Sequence, residues 1–148
     1  MSKTPRRIST LSKKQENLLV LLKEAQSRHG YLVQELLAEL AQSLGISNGE
    51  VYGAATFYAF LSTEIQGRNV IRVCKSLPCF LKNSQLIIDS VEQEIGIKPG
   101  QTSTDGKFTF QLTNCIGACD KAPAMMINRD VYGDLTPRRI SAILKACE

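Results

Sequence analysis

The spacing of hydrophobic positions predicts three amphipathic helices in the first part of the chain. Apolar side chains recur at i, i+3, i+4 and i+7 in the runs 16–25 and 33–41, so each run has one face to bury. A third helix is predicted to begin near Asn48, because Ser47 and Glu50 have the S-x-x-E spacing of a capping box. A helical bundle of this size buries little surface alone, so we expect it to dock on a further surface.

The hydrophobic pattern changes at Gly67. Short runs that are β-branched or alternate polar with apolar predict strands, and two segments keep helical spacing, which gives the order β-α-β-β-β-α. A strand, a crossover helix and a second strand imply a parallel pair, and the hairpin after them extends the sheet antiparallel. The predicted strands cover 69–74, 107–112, 124–128 and 131–132, and the predicted helices cover 80–95 and the segment from Thr136 to the C-terminus.

The sequence therefore predicts an α+β fold in three parts. These are a flexible basic arm at 1–14, a helical bundle at 15–66 and the β-α-β-β-β-α domain at 67–148. The arm holds five basic side chains and no acidic one, whereas the rest of the chain has thirteen basic and fourteen acidic side chains. The formal net charge of +4 thus belongs to the arm, and without a basic face on the folded part it predicts no nucleic-acid partner.

Composition narrows the class of protein further. With 43% hydrophobic and 22% charged residues, the chain is too apolar for an intrinsically disordered one. No apolar run is long enough to cross a bilayer, so direct membrane insertion is not expected. No secretory signal follows the start, which predicts a cytoplasmic protein whose cysteines are reduced. A cytoplasmic protein of this kind can also lie at the inner face of a membrane as part of a complex.

Four of the five cysteines form two close pairs. Cys74 and Cys79 have C-x4-C spacing, Cys115 and Cys119 have C-x3-C spacing, and 35 residues lie between the pairs. Each pair begins at the carboxyl end of a predicted strand, and the carboxyl ends of neighbouring parallel strands share one edge of the sheet. The fifth cysteine, Cys147, falls on the apolar stripe of the last helix and is interpreted as a small buried hydrophobe.

The cysteine spacing leaves several chemistries open. A [2Fe–2S] cluster needs two thiolates on each of two irons, which matches two local pairs. Zinc also accepts such pairs, although it more often uses a two-residue knuckle, so a zinc-stabilised scaffold subunit remains an alternative. A thiol oxidoreductase of the thioredoxin kind would need C-x-x-C at a helix start, and neither pair has that spacing. Simple core filling is disfavoured by two tight pairs at strand ends.

The arrangement of motifs resembles the thioredoxin-like [2Fe–2S] ferredoxin family. The resemblance rests on C-x4-C, then C-x3-C followed by a strand introduced by proline, and on the motif Tyr-Gly-x-Leu-Thr-Pro at 132–137. The upstream run 51–58 is also similar to that family's helical segment, and the chain resembles in particular the NuoE-like subunits of respiratory NADH dehydrogenase. This resemblance implies a thioredoxin-like fold for 67–148. It also implies that one [2Fe–2S] cluster is bound by Cys74, Cys79, Cys115 and Cys119.

The same resemblance implies an electron-transfer subunit without a catalytic residue of its own. Its expected partners are a flavin- and NADH-binding subunit of the same complex and further iron–sulfur subunits. Single electrons would pass between the cluster and the partner's FMN, in an NADH dehydrogenase, an NAD-linked hydrogenase (electron-bifurcating ones included) or a formate dehydrogenase. The chain has no G-x-G-x-x-G or Walker motif, so FMN and NAD are expected only on the partner.

Overall fold

The computed structural model describes the backbone of residues 6–147 and the side chains of residues 18–147. The chain divides into two compact units, and the boundary between them falls between Ile65 and Gln66. Each unit has its own hydrophobic core, and the two sets of buried core residues share no member. Among the described residues, no helix combines the length and the apolar character that crossing a bilayer requires.

Three helices form the first unit, as the sequence predicts. The capping box is confirmed, because the Glu50 N–H donates to the Ser47 hydroxyl at 3.2 Å and the Ser47 N–H donates to the Glu50 carboxylate at 2.9 Å. The second helix ends at Gly45, whose φ of 61° is left-handed. The helices are α1 (Arg6–His29), α2 (Gln34–Leu44) and α3 (Asn48–Phe57).

The first helix begins earlier than its apolar stripe indicates. Its backbone is helical from Arg6, inside the segment 1–14 interpreted as a basic arm. Residues 1–5 of that arm, and the side chains of residues 6–17, lie outside what the structure describes. The core of this unit starts at Leu18, and its buried members are Leu18, Leu22, Leu32, Leu37, Ala41, Val51 and Ala55.

A four-stranded mixed sheet is the framework of the second unit. The spatial order of its strands is β2-β1-β3-β4. The pair β1–β2 is parallel, and the pairs β1–β3 and β3–β4 are antiparallel, which confirms the predicted β-α-β-β-β-α order and the α+β class. The strands are β1 (Asn69–Cys74), β2 (Phe108–Thr113), β3 (Met125–Ile127) and β4 (Asp130–Tyr132).

The crossover between the parallel strands consists of two helices rather than one. The sequence predicts a single helix over 80–95, and that prediction is wrong because the helix breaks at Asn83, whose φ is 62°. The last helix begins after Thr136, as predicted, and the Thr136 hydroxyl accepts a hydrogen bond from the Arg139 N–H. The helices are α4 (Leu77–Leu81), α5 (Ser84–Ile95) and α6 (Pro137–Lys145).

One face of the sheet forms the core of this unit with α5 and α6. Ile71 and Val73 of β1 are fully buried on that face. Because side chains alternate along a strand, Cys74 points to the opposite face. The parallel register sets Cys74 opposite Thr113, the last residue of β2. The loops after β1 and β2, which carry the two cysteine pairs, therefore start at the same edge of the sheet.

Candidate metal centre

The first cysteine pair is buried. Cys74 ends β1 and Cys79 lies within the short helix α4, and each side chain is only 1% exposed. Their surroundings are apolar, which excludes water from the sulfurs. The buried group consists of Cys74, Cys79 and Ala124, with Ile116, Ala118 and Ala122 packed against it.

The second pair is exposed and arranged by its own loop. The sulfur atoms of Cys115 and Cys119 lie 3.4 Å apart. The Gly117 N–H donates to the Cys115 sulfur at 3.4 Å. Gly117 has a φ of 81°, a left-handed conformation that glycine adopts without strain, so this residue allows the loop to turn its amide toward the sulfur. Cys119 itself begins a 3₁₀ turn that ends at Lys121.

The electrostatics of the thiols link the two pairs. Burial raises the pKa of Cys79 to about 11, the Ala124 N–H opposes the rise, and a hydrogen bond with Cys74 and the charges of Cys74 and Cys119 add to it. The pKa of Cys119 is raised, first by its hydrogen bond with Cys115, with further contributions that include Cys74. The pKa of Cys115 is lowered, first by the Gly117 N–H. The charge of Cys119 therefore affects the pKa of Cys79, and the charge of Cys74 affects that of Cys119.

Cys147 lies apart from these four cysteines. It follows the end of α6, and its side chain is partly buried against the core of the sheet. Its carbonyl accepts a hydrogen bond from the Asn69 side-chain amide at 3.0 Å. Burial raises the pKa of the Cys147 thiol. These surroundings are those of a packed side chain, although the residue lies beyond the helical stripe that the sequence assigned to it.

The donor set fits a thiolate-bound metal centre. All five cysteines are free thiols, and thiolates are the ligands that iron–sulfur clusters require. Two thiolates on one tetrahedral metal ion lie about 3.8 Å apart when each metal–sulfur bond is about 2.3 Å, so the Cys115–Cys119 separation of 3.4 Å is close to that spacing. Within the part of the chain that the structure describes, no group of three or more His, Cys, Asp or Glu side chains is arranged to hold one metal ion.

Sequence reasoning missed one contributor to the site. The backbone N–H of Ala124 opposes the rise in the pKa of Cys79, and the carbonyl of the same residue accepts a hydrogen bond from the Cys74 N–H at 3.1 Å. Backbone groups of this kind carry no residue-type signal. The packing of the strands, and not the residue type, decides which cysteine these backbone groups meet.

A family model describes almost the whole chain. The model for "Thioredoxin-like [2Fe-2S] ferredoxin" matches residues 5–148. That range includes all four paired cysteines and both compact units.

Two bacterial proteins illustrate the sequence similarity. The chain is 37% identical over 125 residues to a subunit of the NADH-quinone oxidoreductase of Pseudomonas aeruginosa, covering 84% of this chain and 75% of that protein. It is 41% identical over 124 residues to the subunit of the same name from Escherichia coli strain K12, with 84% and 75% covered.

A solved structure resembles this chain over most of its length. The chain matches a crystal structure of an NAD⁺-reducing [NiFe]-hydrogenase with a TM-score of 0.73 and 27% sequence identity. The match covers 86% of this chain and 22% of that hydrogenase chain, so this chain spans about a fifth of its length.

Proposed function

This chain belongs to the thioredoxin-like [2Fe–2S] ferredoxin family, and from that membership we propose that it is an electron-transfer subunit carrying one [2Fe–2S] cluster. The proposed partner is a flavin- and NADH-binding subunit of the same multisubunit oxidoreductase, whose FMN exchanges single electrons with this chain. FMN and NAD are bound by that partner and not by this chain. The parent complex is a respiratory NADH dehydrogenase or an NAD-linked hydrogenase, including one of the electron-bifurcating kind, in which further iron–sulfur subunits take part.

The convergence of two cysteine pairs at one edge of the sheet carries this proposal. We propose that Cys74 and Cys79 bind one iron and that Cys115 and Cys119 bind the other. The separation of 3.4 Å between the second pair of sulfurs supports a shared metal ion, and the parallel register that starts both cysteine loops at one edge of the sheet supports a single site. When bound, the cluster supplies reversible one-electron redox chemistry.

The protein's own residues set the environment of that chemistry. Cys74 and Cys79 lie away from water, while Cys115 and Cys119 face the solvent. The Gly117 N–H donates to the Cys115 sulfur, and hydrogen bonds to the sulfurs are one of the factors that set the reduction potential. No side chain needs to act as an acid or a base, since the proposed step moves only an electron.

An exposed apolar face beside the site supports a partner subunit. Leu77, Phe80 and Leu81 of α4 are 67%, 60% and 72% exposed, and they lie in the same short helix as Cys79. Apolar side chains grouped on a surface in this way mark protein–protein contacts. We propose that the flavin-bearing subunit covers this face.

The metal content tests the redox proposal directly. Protein purified without oxygen is expected to be red-brown and to contain iron and acid-labile sulfide in equal amounts. One-electron reduction should then give the electron paramagnetic resonance signal of a reduced [2Fe–2S] cluster. Colourless protein with one tightly bound zinc ion would overturn the proposal in favour of a structural scaffold, and metal-free protein with a redox-active cysteine pair would favour a thiol oxidoreductase.

Co-purification from the native source tests the partner proposal. The tagged chain is expected to bring down a flavoprotein that oxidises NADH, and NADH should reduce the cluster only in its presence. The substitution Leu81→Glu should abolish this association. It should leave the visible spectrum of the cluster unchanged, because Leu81 is not a proposed ligand. Leu86→Glu is the matched control, because Leu86 is an exposed leucine of α5, outside the proposed contact. Equal loss of the partner in both variants would contradict the assignment of α4.

A further inference from the structure

The turn between β4 and α6 is hydrogen-bonded to the loop that carries Cys119. The Asp134 N–H donates to the Lys121 carbonyl at 2.6 Å, and the Leu135 N–H donates to the Pro123 carbonyl at 3.1 Å. Lys121 is the last residue of the 3₁₀ turn that begins at Cys119. The loop of the second cysteine pair is therefore held at two points on the C-terminal side of Cys119.

Gly133 lets the two backbones approach this closely. A Cβ atom at Gly133 would lie 2.8 Å from the Lys121 carbonyl oxygen and would also overlap the Lys121 Cβ. Real Cβ atoms do not approach backbone atoms to such distances, so any side chain at Gly133 has to displace the loop. Close backbone approach is one of the uses of glycine that no other residue can replace.

Arg139 connects the turn to helix α6 by hydrogen bonds. Its Nη1 atom donates to the carbonyls of Gly133 and Asp134, at 2.8 and 2.9 Å. Arg139 lies in the first turn of α6, and the following residue, Ile140, is fully buried. A cationic donor that satisfies two carbonyls in a tight turn fixes that turn strongly. Arg139 thereby connects the buried helix α6 to the Cys119 loop through the turn Gly133–Leu135.

We propose that the turn Gly133–Leu135 and Arg139 form a buttress that positions Cys119 for cluster binding. The inference rests on the proposed function, since it assigns a role toward the cluster that Cys119 is proposed to bind. The second cysteine pair needs such support because both of its side chains are exposed, so the apolar packing that surrounds Cys74 and Cys79 does not hold them. Gly133 and Arg139 are positioning residues, and neither is proposed to touch the cluster.

The rate of iron loss from the full-length, cluster-loaded chain tests the buttress. Loss is followed as the decay of visible absorbance in the presence of an iron chelator without oxygen. Arg139→Ala removes a charged donor from two carbonyls and is expected to accelerate the loss about tenfold. Arg139→Lys retains the positive charge but lacks the planar fork, so we expect an intermediate rate. Gly133→Ala should lower the fraction of chains that hold a cluster and alter the resonance signal of the remainder.

Two control variants separate positioning from general stability. Arg138 is the neighbouring arginine in the first turn of α6, and its side chain is exposed, so Arg138→Ala should leave the rate unchanged. Thr136→Ala removes the N-cap of α6 without removing a contact to the Cys119 loop. It should lower the melting temperature while iron loss stays near the wild-type rate.

The outcomes are distinguishable from a failure of the proposed function. Wild-type protein without iron would overturn the cluster assignment, and the buttress with it. Wild-type protein with a cluster that Arg139→Ala releases no faster than Arg138→Ala would overturn the buttress alone. Equal acceleration by Thr136→Ala and Arg139→Ala would also overturn it, because loss of helix stability would then account for both. If Arg139→Ala does not fold, Arg139→Lys decides by the same comparison.

Discussion

The four paired cysteines differ in their surroundings although they are chemically identical. Cys74 and Cys79 are 1% exposed, whereas Cys115 and Cys119 are on the surface. The Gly117 N–H lowers the pKa of Cys115, and burial raises that of Cys79 to about 11. One pair is thus fixed by the apolar interior, and the other by backbone hydrogen bonds and by the neighbouring turn.

This difference predicts the order of alkylation in the cluster-free chain. The thiolate is the reactive form, and a lowered pKa increases the thiolate fraction near neutral pH while a raised pKa decreases it. With iodoacetamide at pH 7.5 we expect Cys115 to react at least about tenfold faster than Cys79. Peptide mapping by mass spectrometry measures both rates. In the denatured chain all five cysteines should react alike, and faster reaction of Cys79 in the folded chain would contradict the burial of the first pair.

The separate location of Cys147 predicts different consequences of replacing cysteines. Cys74→Ser and Cys119→Ser are each expected to prevent stable cluster binding, because each removes one of the two thiolates proposed to bind an iron. Cys147→Ser should leave the visible and resonance spectra of the cluster intact, since Cys147 packs against the sheet core. Iron and sulfide analysis of the three purified variants measures the difference. Loss of iron from Cys147→Ser would show that this cysteine has a role at the site.

At the scale of the elements, the break in the crossover helix is the main departure from the sequence pattern. Apolar residues continue at helical spacing past the break, so periodicity alone predicts one helix over 80–95. The break occurs at Asn83, which adopts a φ of 62°. Asparagine is among the non-glycine residues that most readily adopt the left-handed conformation. The asparagine at position 83 was therefore the one feature of the sequence that could have indicated the break. The break makes α4 a separate element that presents Cys79 inward and Leu77, Phe80 and Leu81 outward.

The left-handed conformation of Asn83 predicts the effect of substitutions there. Asn83→Ala should lower the free energy of unfolding by about 1 kcal/mol, because alanine lacks the short polar side chain that makes the left-handed conformation more accessible to asparagine. Asn83→Gly should be close to neutral, since glycine accepts the same dihedral angles without strain. Urea denaturation of the metal-free variants measures both changes. Greater stability of Asn83→Ala would mean that the crossover forms one continuous helix in solution.

At the scale of the whole molecule, the two units have separate cores. The core of the helical unit and that of the sheet unit share no buried residue, and all four paired cysteines belong to the second unit. Metal binding stabilises the segments that supply the ligands, because the ligands are ordered only when the site is formed. The effect of removing the cluster should therefore be confined to one part of the chain.

Hydrogen–deuterium exchange before and after removal of the cluster tests this confinement. Exchange should accelerate in residues 74–82 and 115–123, which carry the proposed ligands, and remain unchanged in α2 and α3. The Cys119→Ser chain is the control, because the same chelator treatment should alter nothing in it. A uniform increase over both units would show that the cluster stabilises the chain as a whole.

The sequence by itself determined most of the elements and which side chains are suited to bind a metal. Helical spacing, the capping box at Ser47 and the cap at Thr136 depend on residues a few positions apart, so they can be recognised before the chain folds. The parallel pair followed from the β-α-β order, because a crossover helix returns the chain to the end of the sheet at which the first strand began. That order also brought the loops of the two cysteine pairs to one edge of the sheet.

Only the tertiary structure decided how the site is held. The position of β3 beside β1, the burial of one cysteine pair but not the other, and the contact of Gly133 with Lys121 all join segments distant along the chain. Such contacts are made largely by backbone groups, and every residue type except proline carries the same amide and carbonyl. Residue spacing therefore indicates which atoms can bind a metal, whereas the packing of distant segments decides where those atoms stand.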